Sequence, residues 1–376
     1  MDAQHLLSAC REAGIDFYTG VPDSQLKGLC DTLYAAYGVK GQHIVAANEG
    51  NAIGLCAGHY LATGRPAMCY MQNSGLGNTV NPLASLMDAQ VYAMPCLLVI
   101  GWRGEPGVHD EPQHVKQGQV TLSQLELLDV PYMVLEKAMT DEQFDAAFAD
   151  IRAHLAANRT AAIVVRKGAL SCSLKPDYRN DNDMTREEAV GIIARLAGPK
   201  DAFISTTGKL SRELFELREA AGQGHERDFL TVGSMGHASS IALGVAMAQP
   251  TRRVWCLDGD GAALMHLGAM AVIGQRQPEN LVHVVINNGA HETVGGMPVC
   301  EGGMNLCAMA MAAGYRSVTC ADSPETLLRA VDSAMAFGGL SFIEVRCAAG
   351  ARANLGRPTT TPQQNRDALM KFLQEK

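Results

Sequence analysis

The stretch from Arg253 to Met297, RVWCLDGDGAALMHLGAMAVIGQRQPENLVHVVINNGAHETVGGM, restricts what this chain can fold into more than any other. Val254 to Leu257 is a short apolar run that stops at Asp258, Gly259, Asp260 and Gly261, and Ala262 to Gln275 carries Leu, Met and Ile at helical spacing. A second apolar run, Leu281 to Ile286, stops at Asn287 and Asn288. The order is strand, glycine turn, helix, strand, polar turn. In such a unit both turns fall at the carboxyl edge of a parallel sheet, where open α/β folds bind ligands. Asp260 and Asn288 are therefore expected side by side. Gly259 and Gly261 carry no Cβ to block an approaching group, and the helix that follows turns free N–H groups to the same point, which suits a phosphate. A carboxylate, an amide oxygen and phosphate oxygens are hard ligands, better matched to Mg²⁺ than to zinc.

A Rossmann nucleotide turn is the competing reading of these glycines. It fails at Leu264, which stands where GxGxxG needs its third glycine.

At 376 residues there is room for two domains of ordinary size. With 47% apolar and 19% charged residues the chain has the makings of a large core and not of a disordered segment. A net charge of −8 argues against nucleic acid as a partner but leaves a small anion open, because local charges decide that. The 11 cysteines include no CxxC pair, and Cys69, Cys96 and Cys256 fall inside apolar runs, as small buried hydrophobes of a reducing cytoplasm do. The start, MDAQHLLSACREAG, has an amphipathic pattern unlike a signal peptide, and no apolar run approaches the roughly 18 residues of a membrane span. A cytoplasmic protein without membrane association is the expectation.

Taken in order, a first helix around Leu6, Leu7 and Cys10 closes at Gly14, and a strand at Ile15 to Thr19 turns through Gly20 to Ser24. Asp23 and Ser24 suit a helix cap, and Asp23 also suits a polar position over a substrate. A strand at Ile44 to Ala47 runs into Asn48, Glu49 and Gly50. The helix after it, NAIGLCAGHYLATG, has a small apolar face fit for close packing on a neighbour or a symmetry mate. Strands at Pro66 to Met71 and Pro95 to Ile100 lead into QNSGLGN and into GWRGEPGVHDEPQHVKQG. The latter, with Arg103, His109, Asp110, His114 and Lys116, is expected to be an active-site loop. Beyond a strand at Ala162 to Arg166, the polar, aperiodic run SCSLKPDYRNDNDMTREE reads as a linker. The domains are then 1–170 and 187–376, joined by 171–186. Thr185 and Glu188 form a capping-box pattern, and a strand at Phe203 to Ser205 leads to Thr206, Thr207, Gly208 and Lys209, with Ser211 expected as the next helix cap. The last strand is Ser341 to Val345. Ile53 and Ile241, like Arg65 and Arg253, are offset by 188 residues, which suggests two copies of one fold.

GDG followed by NN, with 25 residues between Gly261 and Asn287, resembles the signature of the thiamine diphosphate (ThDP) enzymes. GVPDS, NEGNAIG, QNSGLGN, DEPQHVKQG, GDGAALMHLG, VGG and LGRPTTTP extend the resemblance over both halves. Most ThDP decarboxylases carry a middle domain for which this chain has no room, so the likeness narrows to two-domain members. Met297 departs from the pattern, since relatives tend to have glutamine after the glycine pair.

That resemblance implies an α/β chain of two similar doubly wound parallel-sheet domains, pyrimidine-type then diphosphate-type. It implies ThDP and Mg²⁺ as cofactors, with Asp260, Asn288 and Ala290 at the metal, and Ser74, Gly208, Gly259, Gly261 and Ala262 around the coenzyme. Met235 is the expected wedge between the coenzyme rings, and the Gly233 carbonyl the acceptor for the pyrimidine amino group. Glu49 corresponds to the acid at the pyrimidine nitrogen, supplied by a neighbouring subunit, so the active unit is at least a homodimer. The implied reaction is decarboxylation of a small anionic 2-oxo acid, 3-phosphonopyruvate first and 3-sulfopyruvate as the alternative. Asp23, His114 and His291 join Glu49 as catalytic candidates, and Asp23, Arg103, His114, Lys209, Arg352 and Arg357 as substrate-binding candidates. Lys116 and Arg212 are further cations available to an anionic substrate.

Overall fold

The apolar runs become strands of two parallel sheets in the computed structural model, which describes residues 1–300 and 302–375. Met1–Asp177 and Tyr178–Lys376 form separate compact units. In the first unit the strands are β1 (Tyr18–Gly20), β2 (His43–Val45), β3 (Ala67–Gln72), β4 (Cys96–Gly101), β5 (Tyr132–Leu135) and β6 (Ala161–Val165), in the order β2-β1-β3-β4-β6-β5. The second unit has β7 (Ala202–Ser205), β8 (Asp228–Leu230), β9 (Val254–Gly259), β10 (Leu281–Asn287), β11 (Ser317–Ala321) and β12 (Ser341–Arg346), in the order β8-β7-β9-β10-β12-β11 read from its other edge. Renumbered within each unit, the two orders are identical. The fold is thus α/β with the same parallel sheet built twice, as the 188-residue offset suggests.

Each sheet is buried on both faces, which is why its central strands read as continuous apolar runs. In the second unit Trp255, Leu257, Val284 and Ile343 pack on one face against the helices Arg186–Leu196, Lys209–Ala220 and Pro324–Phe337. Val254, Cys256, Val285 and Phe342 pack on the other face against Ala238–Ala248, Gly268–Arg276 and Leu306–Ala313. β5 and β11 are edge strands with only one fully buried residue each, so their sequences carry little apolar signal.

The chain reverses its direction of travel across the sheet between β1 and β3, and again between β7 and β9. Ligands of open α/β sheets lie at such a switch point, beyond the carboxyl ends of the strands. GVPDS and QNSG therefore meet in the first unit, and TTGK and GDG in the second.

Several local expectations change. The helix expected over Ala262 to Gln275 starts earlier, at Asp260, and is broken at His266 and Leu267 into Asp260–Met265 and Gly268–Arg276. Ser211 is not a cap: the helix begins at Lys209 behind Gly208, and Ser211 Oγ donates instead to the Thr206 carbonyl at 2.6 Å. Asp23 caps no helix either, since that helix starts at Lys27. The expected loop after β4 is a loop only to Glu111, because Pro112 at the first helical turn opens Pro112–Leu127, which carries His114 and Lys116. The polar run after β6 is tied down at both ends. Ser171 accepts from Ala3 N–H at 2.8 Å, and Asn180 Nδ2 donates to the carbonyls of Asn288 and Cys347 at 2.8 and 3.0 Å. The Thr185–Glu188 capping box is present.

Candidate active site

In the second unit, β9 and β10 run in register so that Ile286 lies beside Gly259. This sets the two polar turns next to each other. The Asp260 carboxylate joins them: Oδ1 accepts from Gly261 N–H and Oδ2 from Gly289 N–H, both at 2.7 Å. The Gly261 N–H is thereby turned back on Asp260 and is not offered to a phosphate. Asp260 is buried and, among the described residues, forms no ion pair with a Lys, Arg or His. Burial lifts its pKa to about 7 against the pull of those N–H groups. A buried carboxylate without a counter-charge is expensive unless it is protonated or holds a cation. Asn288, also buried, accepts from Ala290 N–H at 3.1 Å through its own Oδ1, and the Asp260–Gly289 bond holds that turn beside Asp260. The oxygen-rich donor set fits Mg²⁺.

His291 follows directly. Its ring lies against Gly261, where an added Cβ would come within 3.0 Å of Cε1. Buried, with Nε2 lacking a hydrogen-bond partner, the imidazole is pushed down to about 4 and is neutral at pH 7.

Around the facing turn, Gly208 has φ +102°, and a Cβ there would meet Thr293 Oγ1 at 2.6 Å. Only glycine serves at that position. Gly233 N–H donates to Thr207 Oγ1 at 3.0 Å, and Gly233, Ser234 and Gly236 all have positive φ. Ser234 in that region is a local strain, of the kind concentrated at ligand sites. Met235 is half-buried within this turn. Gly259 and Ala262 lie at the strand end and in the short helix after it.

In the first unit, Asp23 is fully buried after β1 and takes Gln72 Nε2–H from the end of β3 at 2.6 Å, across the switch point. Gln25 N–H donates to its other oxygen at 3.0 Å. Burial raises the Asp23 pKa against these bonds. Gly101 at the end of β4 is required here, because a Cβ would overlap the Asp23 carboxylate. Ser74 Oγ donates to Gln72 Oε1 at 2.8 Å, extending the chain of polar groups to the surface. His114 is buried, its Nδ1 without a partner, and burial followed by the Arg103 charge lowers its pKa to about 4.

Glu49 opens the helix Glu49–Thr63 and is 5% exposed. Asn78 Nδ2 donates to its Oε2 at 2.7 Å, and Gly75 leaves the space the carboxyl occupies. A carboxyl held this way, from a strand-to-helix junction and by one amide, is positioned beyond what a helix-start charge needs.

The cations expected at the substrate are mostly engaged. Arg103 makes a two-pronged bond to Asp110, at 2.8 and 2.5 Å, and reaches Ser24 Oγ at 3.1 Å. Burial works against the Asp110 anion, but Arg103 and the Gly104 N–H bring its pKa down to about 2. Lys209 pairs with Glu292 at 2.8 Å, and Arg352 is held between Glu187 and Glu216. Arg357, in the tail, is exposed. The sequence pattern places Gln72 and Asp110 in polar turns but reveals neither their partners nor Glu292, because each gains its role from a group brought close by folding.

Comparison with known proteins agrees with this architecture. Residues 2–127 match the thiamine pyrophosphate enzyme N-terminal TPP binding domain, and residues 206–345 the C-terminal TPP binding domain. The chain is 33% identical to the phosphonopyruvate decarboxylase of Streptomyces viridochromogenes, over 96% of this chain and 92% of that one. It is 32% identical to that of Streptomyces hygroscopicus over 100% and 94%. The sulfopyruvate decarboxylase of Methanosarcina acetivorans is 29% identical, over 91% of this chain and 90% of its own. No helix of the described residues is long and apolar enough to cross a membrane. Two TPP-binding halves with no middle domain, and similarity along nearly the whole chain, establish that it is a ThDP-dependent decarboxylase belonging to the thiamine pyrophosphate enzymes, in the branch of the phosphonopyruvate decarboxylases.

Proposed function

We propose that the chain converts 3-phosphonopyruvate to phosphonoacetaldehyde and CO₂, with ThDP held through Mg²⁺, as a step of phosphonate biosynthesis in the cytoplasm. The observation that carries the metal is the buried, unpaired Asp260 carboxylate beside Asn288 and Ala290. The substrate rests on the two near-full-length phosphonopyruvate decarboxylase relatives.

Bound ThDP supplies an electron sink for the pair left when the carboxylate departs. Asp260, Asn288 and Ala290 would hold the metal, and Gly208, Gly259, Gly261 and Ala262 would line the diphosphate. Glu49 of a second copy would stand at the pyrimidine nitrogen as its proton donor, the Gly233 carbonyl would accept from the amino group, and Met235 would pack against the coenzyme rings. Ser74 hydrogen-bonds on the pyrimidine side. Release of CO₂ leaves a carbon that must gain one proton. Asp23, with its raised pKa, and the neutral imidazoles of His114 and His291 are groups able to carry it. Lys209, Arg103, Arg352 and Arg357 are the cations available to the phosphonate and carboxylate, the first three already paired with Glu292, with Asp110, and with Glu187 and Glu216.

3-Sulfopyruvate is the second reading, favoured by the 29% identical relative. CO₂ release from each acid, with ThDP and Mg²⁺, decides between them: faster release from sulfopyruvate overturns the first. Calorimetry tests the metal reading, since Asp260→Ala should abolish Mg²⁺-dependent ThDP binding, and unchanged affinity would contradict it.

A further inference from the structure

Away from the two polar turns, the second sheet carries another group of ligand-type side chains. β11 and β12 pair so that Cys320 lies directly beside Glu344, and the helix Leu306–Ala313 crosses that face with Cys307 above them. Both sulfurs and a Glu344 carboxylate oxygen lie within 4.8 Å of one another. We infer that Cys307, Cys320 and Glu344 form a binding site for a thiophilic divalent cation, with Zn²⁺ the best fit.

Distance is the first argument. Tetrahedral zinc holds sulfur at about 2.3 Å and carboxylate oxygen at about 2.0–2.2 Å, which sets neighbouring ligand atoms about 3.5–3.8 Å apart. The present triangle, with every side within 4.8 Å, is at most about 1 Å wider than that. Charge is the second. Two thiolates and a carboxylate sum to −3, the cation brings +2, and Arg346, with Nε 3.5 Å from Glu344 Oε1, brings the last positive charge. Without a cation the thiols keep their protons: burial and then Glu344 push Cys307 up to about 12, and the same two causes raise Cys320. Binding therefore displaces two protons and strengthens as pH rises. Access is the third, because Glu344 is 1% exposed at the floor while Cys320 is open to solvent. Asn287 Nδ2 donates to Glu344 Oε1 at 2.8 Å and fixes the carboxylate from behind.

A second cluster, Cys256, Asp258 and His283, is as close together but entirely buried, and His283 Nδ1 is already taken by the Tyr315 hydroxyl at 2.9 Å. It offers a cation no route in. Paired thiolates separate the proposed site from the oxygen-lined turn at Asp260, which selects harder ions.

Co²⁺ titration of the full chain, reduced with a phosphine and preloaded with Mg²⁺ and ThDP, tests the assignment. A thiolate-to-cobalt charge-transfer band should grow, saturate near about one equivalent, and bleach when Zn²⁺ is added. Cys320→Ser, at an exposed position that leaves the fold intact, and Cys307→Ser should each remove it, while Cys256→Ser should leave it unchanged. Absence of the band in the reduced native protein, or its survival in Cys307→Ser/Cys320→Ser, would overturn the proposal. Oxygen ligands at Asp260 give no such band, so failure here leaves the ThDP reading untouched.

Discussion

Asp260 concentrates the chemistry of the second unit in one carboxyl group. Its folded-state pKa of about 7 lies above the ordinary 3.8, so its contribution to stability is full below about 4 and is lost as pH rises through 7. In metal-free protein, Asp260→Asn removes that titration. The melting temperature of the variant relative to the native protein should therefore climb as pH goes from 4 to 7.5 in EDTA. A difference independent of pH would mean that Asp260 is ionised throughout. With Mg²⁺ and ThDP present the sign reverses, because the cation takes the place of the proton. Asp260, Asn288 and Glu49 were legible in the sequence because a turn between an apolar strand and a helix marks the residues at a sheet edge. Engagement of Arg103 by Asp110 and of Lys209 by Glu292 was not legible. An ion pair across 83 residues, as between Lys209 and Glu292, leaves no local pattern.

Glycines decide how closely the elements approach. At Gly75, a Cβ would overlap the Glu49 carboxyl. Gly75→Ala should lower kcat towards the level of Glu49→Gln, by orders of magnitude, with ThDP affinity changed far less. A kcat near that of the native enzyme would show that the Glu49 position is not critical. The helix Pro112–Leu127 is docked in the same manner. A Cβ on Gly118 would overlap the Gly104 carbonyl, and one on Gly104 would overlap that of His114. Gly118→Ala should cost about 1–3 kcal/mol in denaturant unfolding, the usual penalty of overpacking, and raise KM through displacement of His114. An unaltered midpoint would mean that the loop yields freely. Strands β3, β4, β9 and β10 could be found from apolar runs to within one or two residues. The start of the Pro112–Leu127 helix could not, since DEPQHVKQG is polar and shows no helical apolar period. The break at His266 and Leu267 was hidden for the opposite reason: MHLGAM continues the helical spacing through a turn where the backbone departs from it.

Two sheets with one strand order give the molecule two switch points, and the residues proposed to bear on the coenzyme divide between them. Glu49 and the Asp23–Gln72 pair belong to the first unit, Asp260, Asn288 and the Gly233–Gly236 turn to the second. The repeat was visible through Ile53 and Ile241 because equivalent helices packed on equivalent strands keep similar small apolar residues. The proposed assembly, in which Glu49 of one copy serves the Asp260 turn of another, makes a demand that no single chain meets. Complementation measures it directly. Glu49→Gln and Asp260→Ala proteins, each inactive alone, are unfolded together, refolded as a mixture and assayed for ThDP-dependent CO₂ release. In a symmetric dimer, random pairing gives one intact site in each mixed dimer and so restores about a quarter of native activity. A mixture as inactive as its two components would contradict the shared site.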